Sequence, residues 1–133
     1  MAKYLLDTHT LLWLLFSDER LSTKVKNILL NSELEKSVSV ISLWEISLKY
    51  RIGKLKLEEK TPDEIPPVIE RFGYKMLVLG VRESSTFYKI SKVKNKDPFD
   101  LILAWQAINE KFVLLSKDKG FDDFKTQGLK RFW

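Results

Sequence analysis

Short apolar runs alternate along this chain with longer segments of helical periodicity, and this alternation restricts its possible folds more than any other feature. The pattern is typical of βαβ units, in which helices join parallel strands and cover the sheet. The apolar runs predict strands over 3–6, 37–40, 74–79 and 112–115, with a short edge strand at 129–133. The sequence therefore predicts an α/β fold whose central parallel sheet of four to five strands is flanked by helices.

The segments between these runs predict helices whose ends carry recognisable signals. Gly53 lies where the third helix is expected to stop, and Pro62 occupies a position tolerated in a first helical turn. Pro98 has the same place in the last helix, after a basic loop over 91–96. The predicted helices are 8–16, 22–31, 42–50, 61–72, 81–90 and 98–111.

Size and composition favour one folded domain over 1–133. A content of 44% hydrophobic and 31% charged residues is typical of globular proteins. The longest apolar stretch, 11–16, is far too short to span a membrane, and no secretory signal is recognisable. The chain has no cysteine, which excludes disulfides, zinc–thiolate sites and cysteine nucleophiles. We therefore expect a cytoplasmic protein.

The stretch 11–16 is apolar on every side of its predicted helix. Such a helix is either wholly buried or contacts a partner as well as the core. Core burial is the favoured interpretation, and a protein interface is the alternative.

Acidic residues stand where apolar runs give way to helices. If the runs are parallel strands, most of these carboxylates meet at one crevice, the usual ligand site of an open α/β sheet. Carboxylates crowded together at neutral pH need raised pKa values or a cation among them. The residues concerned are Asp7, Glu45, Asp97, Asp100 and Asp118.

Each acid also has a purely structural explanation. Ser42 and Glu45 have the spacing of a capping box, and Asp97 stands before Pro98 as a helix cap would. Asp7 is placed to cap the first helix, and Asp118 to stabilise a turn around 119–120. A helix dipole offsets only about 1–2 kcal/mol, however, and the whole set needs more compensation. Oxygen ligands alone favour Mg²⁺ or Mn²⁺.

The available side chains exclude several kinds of catalysis. His9 is the only histidine, no serine has the flanking glycines of a hydrolase nucleophile, and Gly53-Lys54 lacks the rest of a P-loop. A carboxylate-bound metal that activates water and stabilises a phosphate oxyanion remains. The net charge of +5 and the pI of about 9.3 favour a polyanionic partner such as nucleic acid. Several lysines lie near the acids in the sequence, and they either contact such a partner or are merely solvated. They are Lys92, Lys94, Lys96, Lys117 and Lys119.

These residues resemble a known family, the PIN-domain ribonucleases, and within it the VapC-type toxins of type II toxin–antitoxin systems. The similarity extends in order through nearly the whole chain. Its segments are Leu5-Leu6-Asp7-Thr8-His9, Ser42-Leu43-Trp44-Glu45-Ile46-Ser47 with Lys49 and Gly53-Lys54-Leu55, Asp97-Pro98-Phe99-Asp100, Ala104-Trp105-Gln106-Ala107 and Leu115-Ser116-Lys117-Asp118.

The resemblance implies roles for individual residues. It implies a catalytic pocket composed of Asp7, Glu45, Asp100 and Asp118. Its metal ligands would be Asp7, Asp100 and Asp118, with Asp97 as a further ligand or a helix cap. Supporting roles fall to Thr8 and Ser116, whose hydroxyls would orient carboxylates, and to Lys49, which would pair with Glu45 or contact phosphate. One departure is Asn95, since the subfamily often has histidine there.

The implied activity is Mg²⁺- or Mn²⁺-dependent hydrolysis of RNA phosphodiester bonds, which leaves 5′-phosphate and 3′-hydroxyl ends. The resemblance further implies a homodimer and a cognate antitoxin that inserts a segment near the active site. The apolar helix over 11–16 is the candidate contact.

Two alternatives have different functions. A phospho-receiver-like signalling module would also place acids and a metal at strand ends, but it normally has two adjacent acids where Asp7-Thr8 offers one. A non-catalytic PIN scaffold would bind RNA or protein without cleavage. Such domains usually lose pocket acids, whereas all the expected positions are filled here.

Overall fold

The computed structural model describes residues 1–94 and 96–133 and has five strands in one parallel sheet. The strand order is β3-β2-β1-β4-β5, and every neighbouring pair is parallel. This confirms the predicted α/β fold. The strands are β1 Lys3–Leu6, β2 Glu35–Ser39, β3 Lys75–Leu77, β4 Val113–Leu115 and β5 Lys130–Phe132.

Helices connect the strands in the predicted alternation. The α-helices are α1 Thr8–Phe16, α2 Thr23–Leu30, α3 Val40–Arg51, α4 Ile65–Arg71, α5 Val81–Thr86 and α6 Pro98–Glu110. Short 3₁₀ helices are Asp18–Arg20, Pro62–Glu64, Phe87–Lys89 and Lys119–Gln127. None of the helices in the described part of the chain is long and apolar enough to cross a membrane.

The start of α3 differs from the prediction. Ser39 caps this helix, and its hydroxyl accepts a hydrogen bond from the Ile41 backbone N–H at 3.0 Å. The helix consequently begins at Val40, so Ser42 lies inside its first turn. The predicted capping box between Ser42 and Glu45 is therefore wrong, and the Glu45 side chain is free to make a long-range contact.

The core lies on both faces of the sheet. Leu5 and Leu6 are fully buried but belong to two different apolar clusters, because adjacent strand residues point to opposite faces. Leu6 packs in the cluster that includes α1, α2 and α4. Leu5 packs in the cluster that includes α6 and the 3₁₀ helix Lys119–Gln127. These two layers fix the orientation of β1 at the centre of the sheet.

The apolar helix α1 is only partly covered. Leu11 is fully buried, whereas each residue over 12–16 is half-buried against the first cluster. Core burial accounts for one side of the helix. The remaining apolar surface leaves the predicted protein interface open.

The strand order places a crevice between β1 and β4. The chain moves from β1 towards β2 and β3 on one side, and β4 and β5 lie on the other. Ligands of open α/β sheets bind at such a reversal, outside the carboxyl ends of the strands. Asp7 follows β1 directly, while Ser116 and Asp118 follow β4. The fold therefore brings together acids that are far apart in sequence.

Candidate functional site

Asp7 is a buried carboxylate at the carboxyl end of β1. Its side chain is the N-cap of α1, because Oδ1 accepts the Thr10 backbone N–H at 2.8 Å. The residue is only 5% exposed, and burial raises its pKa despite hydrogen bonds from Ser116 and Thr10. No basic side chain of the described residues forms an ion pair with it. The predicted cap is confirmed, and no ion pair among the described residues offsets the cost of ionising this carboxyl group.

Asp100 is the second acid without an ion-pair partner among the described residues. It lies in the first turn of α6 and is partly buried. Burial, together with the charges of Glu45, Asp97 and Asp7, raises its pKa to about 6 against the opposing charge of Lys96. Asp7 is therefore close enough to Asp100 for its charge to disfavour ionisation of Asp100.

Glu45 is buried on α3 and held by two partners. Thr8 Oγ1 donates to Glu45 Oε1 at 2.7 Å and lies 3.0 Å from Ser42 Oγ. Lys49 Nζ lies 2.5 Å from Glu45 Oε2, at the i,i+4 spacing along the helix. Both carboxylate oxygens are thus engaged, and Thr8 connects α1 to α3.

Asp118 also has a lysine partner. Its Oδ1 accepts the Gly120 backbone N–H at 2.8 Å, and its Oδ2 lies 2.7 Å from Lys96 Nζ. Although partial burial opposes it, the hydrogen bonds from Lys96 and Gly120 hold the pKa of Asp118 below its usual range. The Ser116 hydroxyl accepts the Asp118 backbone N–H at 3.1 Å. The turn predicted around 119–120 is present.

Asp97 acts as a helix cap in this structure. Its Oδ1 accepts the Phe99 backbone N–H at 2.7 Å at the start of α6, and Pro98 occupies the first turn as predicted. The side chain is exposed. Its role as a metal ligand stays a prediction. The preceding Asn95, where the family resemblance breaks, lies outside the described residues.

Glu45, Asp118, Asp7 and Asp100, which we call the acidic crevice, divide into two classes. Lysines neutralise Glu45 and Asp118, whereas Asp7 and Asp100 have raised pKa values and no ion pair among the described residues. Within 1–94 and 96–133, no group of three or more histidine or acidic side chains is arranged to hold an ion. Mg²⁺, however, commonly binds one or two carboxylates and keeps several waters. Asp7 and Asp100 fit such an ion.

The crevice is open to solvent beside β1 and β4. A cleft of about 310 Å³ is lined by Asp7, His9, Trp13, Lys117 and Asp118. Its size admits a phosphate group with its hydration, and its lining combines acidic, basic and aromatic side chains. The arrangement suits a phosphodiester approached by a hydrated cation.

Trp44 is a feature that sequence reasoning did not single out. It directly precedes Glu45 yet is 61% exposed, and its indole packs edge-on against Phe99 at 5.9 Å between ring centroids. Phe99 in turn precedes Asp100. The only sequence signal was this adjacency of aromatic and acidic residues, which does not reveal exposure.

Comparison with known proteins identifies the family. The family model of the PIN domain matches residues 4–126, which is nearly the whole chain. The chain therefore belongs to the PIN-domain family. A search of curated proteins finds no significant match.

Solved structures with the same fold cover nearly the whole chain. VapBC2 from Rickettsia felis bound to a promoter DNA fragment has a TM-score of 0.66 and 17% identity, covering 97% of this chain and 96% of that chain. DNA-bound VapBC from Salmonella typhimurium has a TM-score of 0.66 and 19% identity, with coverages of 99% and 98%. FitAcB from Neisseria gonorrhoeae has a TM-score of 0.62 and 17% identity, with coverages of 98% and 96%.

Proposed function

We propose that this protein is a metal-dependent endoribonuclease and the toxin component of a type II toxin–antitoxin module. The observation that carries the proposal is a pair of acids at the sheet's ligand-binding crevice, Asp7 buried and Asp100 partly buried, that form no ion pair among the described residues. Membership of the PIN-domain family supports the same conclusion. A receiver-like signalling module has no such support.

The proposed cofactor is Mg²⁺ or Mn²⁺, held by Asp7 and Asp100. Two ionised carboxylates in this partly buried position are costly without a cation. When bound, the ion supplies positive charge that stabilises a phosphate oxyanion and favours deprotonation of a water. Because the pKa values of both acids are raised, binding of the ion competes with their protonation.

The remaining residues of the crevice orient the two ligands and the substrate. Thr10 and Ser116 fix the carboxylate of Asp7 by hydrogen bonds. Thr8 and Lys49 hold the carboxylate of Glu45 by hydrogen bonds. Glu45 retains lone pairs that can accept a proton of the attacking water. These residues would therefore position water for attack on a phosphodiester. The hydrolysis would leave 5′-phosphate and 3′-hydroxyl ends.

RNA is the proposed substrate because Lys117 and aromatic side chains line the cleft and further lysines lie close to its acids in the sequence. Lys92, Lys94, Lys117 and Lys119 are exposed and can contact phosphates. The exposed indole of Trp44, supported by Phe99, offers a face on which an unpaired base can stack. Single-stranded RNA satisfies both kinds of contact.

The proposed partners are a cognate antitoxin and a second copy of the chain, in the cytoplasm. The support is the similarity to the VapBC and FitAcB complexes together with the half-buried apolar side of α1. An antitoxin segment that covers this surface would also lie near Asp7, which is adjacent to α1.

The test is cleavage of an RNA pool by purified protein with Mg²⁺, with Mn²⁺ or with a chelator. Cleavage should require the ion and should disappear in Asp7→Asn while the fold is retained. Asp18→Asn, which removes an exposed acid from the neighbouring 3₁₀ helix, is the matched control and should cleave normally. If neither ion supports cleavage and Asp7→Asn is as toxic on expression as the parent, the protein is a non-catalytic scaffold.

A further inference from the structure

We propose that the Lys96 ammonium is a built-in counter-cation of the acidic crevice, taking the place beside Asp118 that a second divalent ion would otherwise occupy. The inference rests on the proposed function. It makes this protein a nuclease that binds one metal ion per chain, with Lys96 as a positioning residue.

The ammonium of Lys96 is enclosed on several sides. Nζ lies 2.7 Å from Asp118 Oδ2 and 4.0 Å from the centroid of the Phe121 ring, a cation–π geometry. The Lys96 side chain is only 7% exposed. A Cβ at Gly120 would stand 2.9 Å from Nζ and 3.0 Å from Asp118 Oδ1, so the absence of a side chain at Gly120 makes room for the ammonium.

The charge of Lys96 also acts on Asp100, one of the two crevice acids without an ion pair among the described residues. Lys96 lowers the pKa of Asp100, although burial and the neighbouring acids raise it more. One ammonium thus acts on both Asp118 and Asp100. Asp7 and Asp100 would hold one divalent ion, whereas a second ion at Asp118 would meet the Lys96 ammonium, which lies 2.7 Å from Asp118 Oδ2.

The neighbouring lysines of the loop do not share this position. Lys92 and Lys94 are exposed, whereas Lys96 has its side chain enclosed against the 3₁₀ helix Lys119–Gln127. A lysine placed only for solubility or for phosphate contact would keep its ammonium in water. The enclosure of Lys96 is therefore specific to the crevice.

A purely structural role and the proposed role predict opposite effects on metal binding. If Lys96 only held the loop in place, its removal would make the crevice less ordered and would weaken metal binding. If it is a counter-cation, its removal makes the crevice more negative and opens the place beside Asp118. Lys96→Met should then bind Mn²⁺ about tenfold more tightly or bind a second ion, while cleavage declines because Asp118 is no longer held.

The experiment is a titration of the full chain with Mn²⁺, followed by electron paramagnetic resonance and by calorimetry. Wild type should bind one ion, and Lys96→Arg should resemble it because the charge is kept. Lys24→Met, which removes an exposed lysine from α2, controls for net charge. Gly120→Ala is an independent variant that keeps the net charge but displaces the ammonium, and it should shift binding in the same direction as Lys96→Met.

Unchanged or weaker Mn²⁺ binding in both Lys96→Met and Gly120→Ala would overturn the proposal, as would two ions in wild type. Those results would leave the proposed function intact if Asp7→Asn still abolished binding and cleavage. Absence of Mn²⁺ binding in wild type would instead refute the metal site itself, and both proposals with it.

Discussion

The acidic crevice has two halves, Glu45 with Asp118 and Asp7 with Asp100, and they differ in how their carboxyl groups are stabilised. Glu45 and Asp118 each have a lysine at hydrogen-bonding distance, and Asp118 has a lowered pKa. Asp7 is buried and accepts hydrogen bonds, Asp100 is partly buried, neither forms an ion pair in the described part of the chain, and the pKa values of both are raised. A protein that needed carboxylates only as caps would neutralise all of them or expose them. This difference supports the proposal that Asp7 and Asp100 take a cation from solution.

The largest expected effect separates the two halves by activity. Asp100→Asn should reduce RNA cleavage at least about a hundredfold, because a lost ligand removes several kcal/mol of charge stabilisation. Glu35→Gln provides the control, since Glu35 is an ion-paired acid at the amino end of β2. Its cleavage rate, measured under single-turnover conditions, should match wild type. Equal loss in both variants would indicate a general effect on folding.

Metal binding should stabilise the folded chain through the unpaired half alone. At a Mn²⁺ concentration about 100-fold above its dissociation constant, the free energy of unfolding should rise by about 2.7 kcal/mol. The gain should vanish in Asp7→Asn, since its amide cannot replace the charged ligand. Urea denaturation with and without Mn²⁺ measures this quantity, and a gain that survived in Asp7→Asn would place the ion elsewhere.

The pH dependence of stability should have opposite sign in the two halves when a chelator is present. Asp100 has a pKa of about 6 in the folded chain against an ordinary value of 3.8, so the unfolded chain releases its proton first as pH rises. Its contribution to stability is complete below pH 3.8 and declines as pH rises to about 6. Asp100→Asn should remove this decline.

Asp118 should behave in the reverse way, because its pKa is lowered in the folded chain. The stability that it contributes is present above pH 3.8 and is lost as pH falls towards its folded pKa. Asp118→Asn should therefore flatten the acid side of the stability profile and leave the neutral side unaltered. If Asp100→Asn and Asp118→Asn changed the pH dependence of stability in the same way, the division of the acidic crevice into two halves would be contradicted.

The smallest expected effect concerns the pair on α3. Lys49 is partly exposed, and an i,i+4 ion pair on a helix stabilises by about 0.3–0.5 kcal/mol. Lys49→Met should cost a little more than this, about 1 kcal/mol, because buried Glu45 would lose a charged partner. A thermal unfolding comparison with Lys54→Met, an exposed lysine beyond the helix, measures the difference.

Local sequence signals predicted much of the fold and part of the site. β1 and α1 have the predicted bounds, and the caps at Asp7 and Asp97 were readable because capping depends on residues within one turn. The crevice itself followed from the expectation that parallel strands end together, which the strand order confirms.

Long-range contacts were beyond such reasoning. Thr8 donates to Glu45 across 37 positions of sequence, and Lys96 reaches Asp118 across 22. Neither pairing has a local pattern, so the structural explanation offered for Glu45 was a capping box, and Lys96 was placed in a loop. The 3₁₀ helix Lys119–Gln127 was missed because its order depends on packing of Phe121 and Phe124 in the core.

The most direct test of the central claim is Mn²⁺ binding by single-site variants of the crevice, followed by electron paramagnetic resonance. The account predicts that Asp7→Asn and Asp100→Asn abolish binding, while Glu45→Gln and Asp118→Asn retain it. Loss of binding in Asp118→Asn equal to that in Asp7→Asn would contradict the account, because it would make the lysine-paired acid an equal metal ligand.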